Sequence, residues 1–274
     1  MTNSMAEIEN NDVLFVIGSN TKESHPIIAL KMIKAKRRGA KIIIADPRRV
    51  PMVRFADIWI QHRPGTDVAL LNGMMHVLLK EGLIKKDFIE SMTEGFDDAF
   101  RKNLDSYTPE AVAKITGVEA DLIVKAARMY GSSERAGIYY TMGITQHAHG
   151  TENVFSVANL ALMTGNLGKE RAGVNPLRGQ NNVQGSTDMG CIPNMYPGWQ
   201  RVTIPAIREK FEALWKTKLS DKEGMTATEM IPAAEKGTLK ALYIMGENPV
   251  VSDPNSSHTA KALKALDLLV VQDI

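Results

Sequence analysis

Cysteine is almost missing from this chain. Cys191 is the only one in 274 residues, so no internal disulfide can form, and the chain alone can hold neither a thiolate zinc site nor an iron–sulfur cluster. Long apolar runs are missing too. None approaches the roughly 18 to 20 residues that cross a bilayer, and the amino terminus has no signal-peptide core, so a soluble, cytoplasmic chain without a membrane span is expected. Neither sign of charge predominates: 33 basic and 31 acidic residues leave a formal charge of +2, and no overall field calls for nucleic acid. The fingerprint G-x-G-x-x-G is absent, which argues against an NAD-type dinucleotide. Metal-ligand spacing is equally scarce. The six His are scattered apart from His147 and His149, and no carboxylate or third His stands at ligand spacing from that pair, so no metal site of protein ligands is expected.

What is present begins with a βαβ unit. Val13-Leu14-Phe15-Val16-Ile17, closed by Gly18, reads as a buried strand of a parallel sheet. Ser24 and Pro26 fit the N-cap and first turn of an amphipathic helix through Ile33, whose last turn carries Lys34, Lys36, Arg37 and Arg38 before Gly39 stops it. Residues 41–46 form a second buried strand ending in Asp46. A polar turn after the first strand and an acid at the tip of the second suit a nucleotide; the competing reading is a plain αβ layer without ligand.

Further along, residues 56–60 read as a short strand, and residues 64–67 as a turn leading to an N-cap. Helix 68–80 follows, with Leu71, Met74, Met75 and Leu78 as core filler. More helix is expected over residues 87–100, from Thr108-Pro109-Glu110 onward, and over residues 119–130. A strand running into a turn over residues 136–143 and a helix at about 152–163 complete the first half. Beyond it come helices at 205–216 and 226–236, a strand from 239 to 246, a helix at about 258–266, and a strand from 268 to Asp273.

The chain repeats itself. Gly18-Ser19-Asn20 with Ser24 is answered by Gly246-Glu247-Asn248 with Ser252, and Asp46 and Asp273 end the following strands at spacings that differ by one residue. Two like nucleotide-sized sites are implied. A carboxylate accepts two hydrogen bonds in one plane, which matches the N1–H and N2–H₂ edge of guanine, though a ribose hydroxyl would also satisfy it. The alternative is two generic βαβ units whose spacing follows from helix length.

Between the halves lies the stretch Arg178-Gly179-Gln180-Asn181-Asn182-Val183-Gln184-Gly185, running on through Asp188-Met189-Gly190, Pro193-Asn194 and Pro197-Gly198. It shows neither a helical nor a strand period, so it reads as a loop, and we take it as the floor of a site. Carboxamides offer donor and acceptor together, glycines let the backbone approach a ligand, and Arg178 adds a planar fork for a small carboxylate or a phosphate. An Asn/Gly-rich surface loop is the alternative.

The run RGQNNVQGSTDMG followed by PNMYPGWQ resembles the signature of molybdenum- or tungsten-dependent formate dehydrogenase alpha subunits, and the likeness extends over nearly the whole chain. Arg178 is its most discriminating point, since the pattern of related nitrate reductases lacks an Arg there. The resemblance implies an α/β fold of two Rossmann-like lobes with mainly parallel sheets flanked by helices, the second lobe incomplete: residues 1–180 and 181–274. It implies a bis-molybdopterin guanine dinucleotide carrying Mo or W, one nucleotide per lobe. Carried over by position, the first lobe would use Asn20, Glu23, Ser24, Asp46, Arg48, Gly65, Asp67, Met142, Gln146 and Gln180. The second would use Asn248, Ser252, Gln272 and Asp273. Glu23 departs from the shorter Asp or Asn expected, and Asp67 stands where Asn is seen.

In that family formate is oxidised at a metal bound by pterin sulfurs and one selenocysteine or cysteine, followed by His, and a 4Fe-4S cluster on an amino-terminal set of four Cys leads electrons to an acceptor subunit or ferredoxin-like carrier. Those residues are not in this sequence, so an internal fragment, inactive alone, is expected. Arg178 is then the one catalytic residue implied, holding the formate carboxylate. Cys191 is expected to be a buried small hydrophobe and not a metal ligand. Two other readings stay open: an oxidoreductase of the same superfamily acting on another small acid or oxyanion, and a non-catalytic module binding a guanine nucleotide or pterin cofactor.

Overall fold

The computed structural model describes residues 1–274, which fall into two compact units, Met1–Gly179 and Gln180–Ile274.

The first unit is built on five parallel strands: β1 Val13–Ile17, β2 Lys41–Ala45, β3 Ile58–Ile60, β4 Ala136–Tyr140 and β5 Gly173–Pro176, in the order β3-β2-β1-β4-β5. The unbroken apolar runs follow from burial on both faces. Successive side chains point to opposite sides, so Leu14, Val16, Ile42 and Ile44 pack against Ile28, Ala29 and Met32 of the helix Pro26–Arg37. Val13, Phe15, Ile17 and Ile43 face the other layer, the helices Asp67–Lys80, Ala120–Gly131 and Gly150–Met163. Met74 and Met75 are fully buried there, as their helical spacing implies. Strand order reverses between β1 and β4, and in open α/β sheets the crevice beyond the carboxyl ends at such a switch point is where ligands bind.

Several boundaries differ from those expected. Ser24 is not the N-cap of the long helix: Thr21–Ser24 is a short helix of its own, capped by Asn20, and His25 caps Pro26–Arg37. The reason is Pro26, which keeps the residue before it out of the helical region; His25 has φ −139°. Residues 87–100 are not one helix but parts of two, Lys86–Met92 and Asp98–Asp105. Gly95, at φ +76°, breaks the run, and the Asp97 side chain restarts it by accepting the Phe100 N–H at 2.8 Å. The strand expected to run into a turn within residues 136–143 ends at Tyr140, and its turn is a short helix, Met142–Thr145. The helix beginning at Asp67 is capped by Thr66.

The second unit carries two small sheets. β6 Met195–Tyr196 and β7 Gln200–Arg201 form an antiparallel pair, and Tyr196 stacks on Phe211 of the helix Pro205–Trp215 at 4.6 Å. β8 Ala241–Met245 and β9 Leu268–Gln272 form a parallel pair, with the helices Ala227–Glu235 and Ser256–Lys264 packed through Ile231, Ala234 and Ala262. The stretch after Arg178 is not wholly loop. Val183–Asp188 is a helix, too short to display a period in its apolar residues, and the Trp199 indole N–H ties its end by donating to Asp188 at 2.7 Å. Cys191 is exposed, not buried, because the turn closing this helix leaves it outside the small cluster around Tyr196. No helix of the chain is long and apolar enough to cross a membrane.

Candidate functional site

In the first unit a cleft of about 420 Å³ opens at the carboxyl ends of β1, β2, β3 and β4. Its centre is the turn after β1. Gly18 adopts φ +56°, donates its N–H to the carbonyl of Ala45 at 3.0 Å, and accepts from the Thr141 hydroxyl at 2.7 Å and the Gly143 N–H at 3.1 Å. A Cβ at Gly18 would lie 2.7 Å from the Gly143 carbonyl carbon, so the two turns touch only because neither carries a side chain.

Asn20 and Ser24 line the cleft at either end of the short helix. The Asn20 carbonyl accepts the N–H groups of Glu23 and Ser24. Its side-chain N–H donates to Glu23, and its Oδ1 is buried with no partner. Asp46 stands at the tip of β2, 5% exposed. One of its oxygens accepts the Arg48 backbone N–H at 2.8 Å, which aims the carboxylate, and Arg48 lines the wall beside it.

Across the cleft His62, just beyond β3, and Asp67, in the first turn of the following helix, form a closed pair. His62 Nε2 lies 2.9 Å from Asp67 Oδ1, with side chains 1% and 3% exposed. His62 Nδ1 is buried without a partner. Met142, exposed, and His147, whose ring bonds the Gly143 carbonyl at 2.8 Å, complete the wall. The cleft thus offers two nearly buried carboxylates, several cationic or neutral nitrogen donors, and orphaned polar atoms at Asn20 and His62. This donor set fits the sugar, base and phosphate groups of a nucleotide. A larger groove of about 600 Å³, floored by Ile84, Ile89 and Phe96, lies against helices and includes none of these residues.

The structure therefore gathers Asn20, Ser24, Asp46, Arg48, Asp67 and Met142 in one cleft. Glu23 reaches it only through Asn20. Gly65, at φ +77°, shapes the turn beneath Pro64, and Gln146 is exposed one residue before the lining His147. Gln180 begins the second unit and is exposed. His62, Thr141 and His147 were not singled out as ligand-lining. Nothing in the sequence flags His62, since a His five residues before an Asp belongs to no motif, nor Thr141, a single hydroxyl where the strand passes into its turn.

Arg178 is exposed, at the end of the first unit. Its carbonyl accepts from His25 Nε2 at 2.7 Å, which ties the segment to the residue after Ser24. Its guanidinium makes no hydrogen bond or ion pair within the chain. The charge is nonetheless felt nearby: burial pushes the Tyr140 hydroxyl above its ordinary value and Arg178 draws it back. Burial first and Arg178 second lower the amino group of Met1.

In the second unit the backbone of the same turn recurs, without the bonds that the Gly18 carbonyl accepts from Thr141 and Gly143. Gly246, at φ +66°, donates to the Gln272 carbonyl at 2.9 Å, as Gly18 does to Ala45. Val251 and Ser252 donate to the Asn248 carbonyl at 3.0 Å, as Glu23 and Ser24 do to Asn20. Asp273 follows Gln272 as Asp46 follows Ala45. The side chains differ. The Ser252 hydroxyl donates to Glu247 at 2.8 Å, the side-chain amide oxygen of Gln272 accepts from the Tyr243 hydroxyl, and Asp273 is exposed.

Comparison with known proteins bears on the whole chain. A family model described as Molybdopterin oxidoreductase matches residues 1–274. The F420-dependent formate dehydrogenase subunit alpha of Methanocaldococcus jannaschii is 53% identical over 274 residues, all of this chain and 40% of that protein. Formate dehydrogenase H of Escherichia coli is 49% identical over 275 aligned residues, all of this chain and 38% of that protein. The chain therefore spans about 40% of the length of these relatives. Among solved structures, acetylene hydratase from Pelobacter acetylenicus superposes with a TM-score of 0.73 over 99% of this chain and 39% of its own, at 24% identity, a likeness of fold.

Proposed function

The chain belongs to the molybdopterin oxidoreductase family, and from that premise we propose that it is the cofactor-binding part of a formate dehydrogenase alpha subunit. Each unit would hold one guanosine end of a bis-molybdopterin guanine dinucleotide. The observation that carries this is the duplicated turn, in which a left-handed Gly, an Asn capping a short helix and a strand-tip Asp recur with the same backbone hydrogen bonds in both units. Two sites of one design fit two copies of one ligand end.

In the first unit Asp46 would accept the donor edge of guanine, held in place by the Arg48 N–H, while Asn20, Ser24 and Arg48 meet phosphate and sugar oxygens. Glu23, Gly65, Asp67, Met142 and Gln146 would complete that site. Asn248, Ser252, Gln272 and Asp273 would form the second. The bound cofactor would supply a Mo or W centre able to take two electrons from formate as it loses its C–H hydrogen and becomes CO₂. Arg178 would hold the formate carboxylate by charge-assisted hydrogen bonds. Its guanidinium, engaged by no group of the chain and anchored through its own carbonyl by His25, is free to do so. The whole enzyme, in this reading cytoplasmic, would pass electrons through a 4Fe-4S cluster to an acceptor subunit or ferredoxin-like carrier.

Calorimetric titration of the chain with GDP tests the nucleotide reading. Binding to the first unit should be weak but measurable and lost in Asp46→Ala; equal binding by that variant removes the assignment of the base-reading acid.

A further inference from the structure

Asp67 is nearly excluded from water, and a carboxylate so placed needs a partner. It has one. His62 Nε2 lies 2.9 Å from its Oδ1, and because a carboxylate only accepts, the hydrogen is on Nε2. No other hydrogen bond engages the Asp67 side chain, although both residues line the cleft and Asp67 opens a helix of fourteen residues. His62 Nδ1 is buried with no partner, so the bond to Asp67 is the one hydrogen bond that fixes the ring.

We infer that His62 is a positioning residue of the cleft: through Nε2 it holds Asp67 oriented, so that this acid, with Asp46, presents acceptors to N–H and O–H donors of the bound nucleotide and not to its phosphates. This rests on the nucleotide reading given above. A carboxylate repels phosphate oxygens at contact distance, and Asp67 already places a negative charge at the helix N-terminus, where a phosphate would otherwise be favoured. The donor-bearing nucleoside end is therefore the part Asp67 reads. His62 touches the ligand only through that acid.

The test is a thermodynamic cycle on the full chain, with GDP and inorganic pyrophosphate as the probes and calorimetry as the measurement. His62→Leu should weaken GDP about ten-fold or more while changing pyrophosphate binding little. His62→Gln, which keeps an N–H donor, should recover most of the loss. In an Asp67→Asn background His62→Leu should have no further effect on GDP. Where His62→Leu fails to fold, ¹⁵N spectra of histidine-labelled wild type decide: the His62 ring nitrogens should show the Nε2–H form and shift on adding GDP, but not in Asp46→Ala. Equal losses of GDP affinity in both backgrounds, unchanged affinity in His62→Leu, or ring nitrogens indifferent to GDP overturn the inference while wild-type GDP binding leaves the nucleotide reading standing. A folded wild type that binds no GDP removes both.

Discussion

The carbonyl oxygen of Gly18 accepts the N–H of Gly143 at 3.1 Å, so the turns after β1 and β4 meet main chain to main chain at the point where strand order reverses. A Cβ on Gly143 would lie 2.5 Å from that oxygen. Gly143→Ala should therefore force the turns apart, costing about 2 to 3 kcal/mol in denaturant unfolding and weakening GDP together with stability. A variant as stable as wild type would show that the contact is slack.

Glu7 fastens the start of the chain to the far edge of the sheet. Its carboxylate accepts the Arg171 backbone N–H at 2.7 Å and the Asn3 amide at 2.9 Å, and its other oxygen accepts the Ser4 N–H at 3.1 Å. The Arg171 bond first, then Asn3 and Ser4, hold it below the ordinary Glu range. A carboxyl depressed in the folded state stabilises above its unfolded value, about 4.3, and that contribution is lost as pH falls through the lower folded value. Melting temperatures of wild type and Glu7→Gln should differ at pH 7 and converge as the solution becomes more acid than the folded carboxyl.

Arg178 should matter to turnover and not to folding. In the intact enzyme Arg178→Ala should lower kcat/KM for formate by about 100-fold or more, and Arg178→Lys should restore little, since a point charge does not replace the planar fork. The melting temperature should hold, because no group of the chain bonds the guanidinium. Unchanged formate turnover would instead favour another small acid as substrate.

Cys191 lies exposed, so one thiol per chain should react with an alkylating reagent under native conditions, and unfolding should add none. A thiol protected until unfolding would place it in a core.

Much of this protein was legible along the chain because strands buried on both faces must be unbroken apolar runs: 13–17 and 41–45 could be little else. The repeat was legible for the same reason a turn is, since a left-handed Gly, a capping Asn and a strand-tip acid are local requirements written at fixed spacing. Local signals were less reliable at helix ends, where a single proline or glycine decides. Pro26 made His25 the cap, and Gly95 split a helix that periodicity alone would have joined.

The tertiary structure alone decided what stands opposite what. Sequence determined that Asp46 would end a strand and that Asp67 would open a helix, because both follow from the order of residues along the chain. It could not show His62 closing on Asp67, Gly143 lying against Gly18, or the Arg178 carbonyl held by His25. Those contacts arise where different strands deliver their ends to one crevice, and hydrogen bonding and burial there depend on distance in space, which no spacing along the chain encodes.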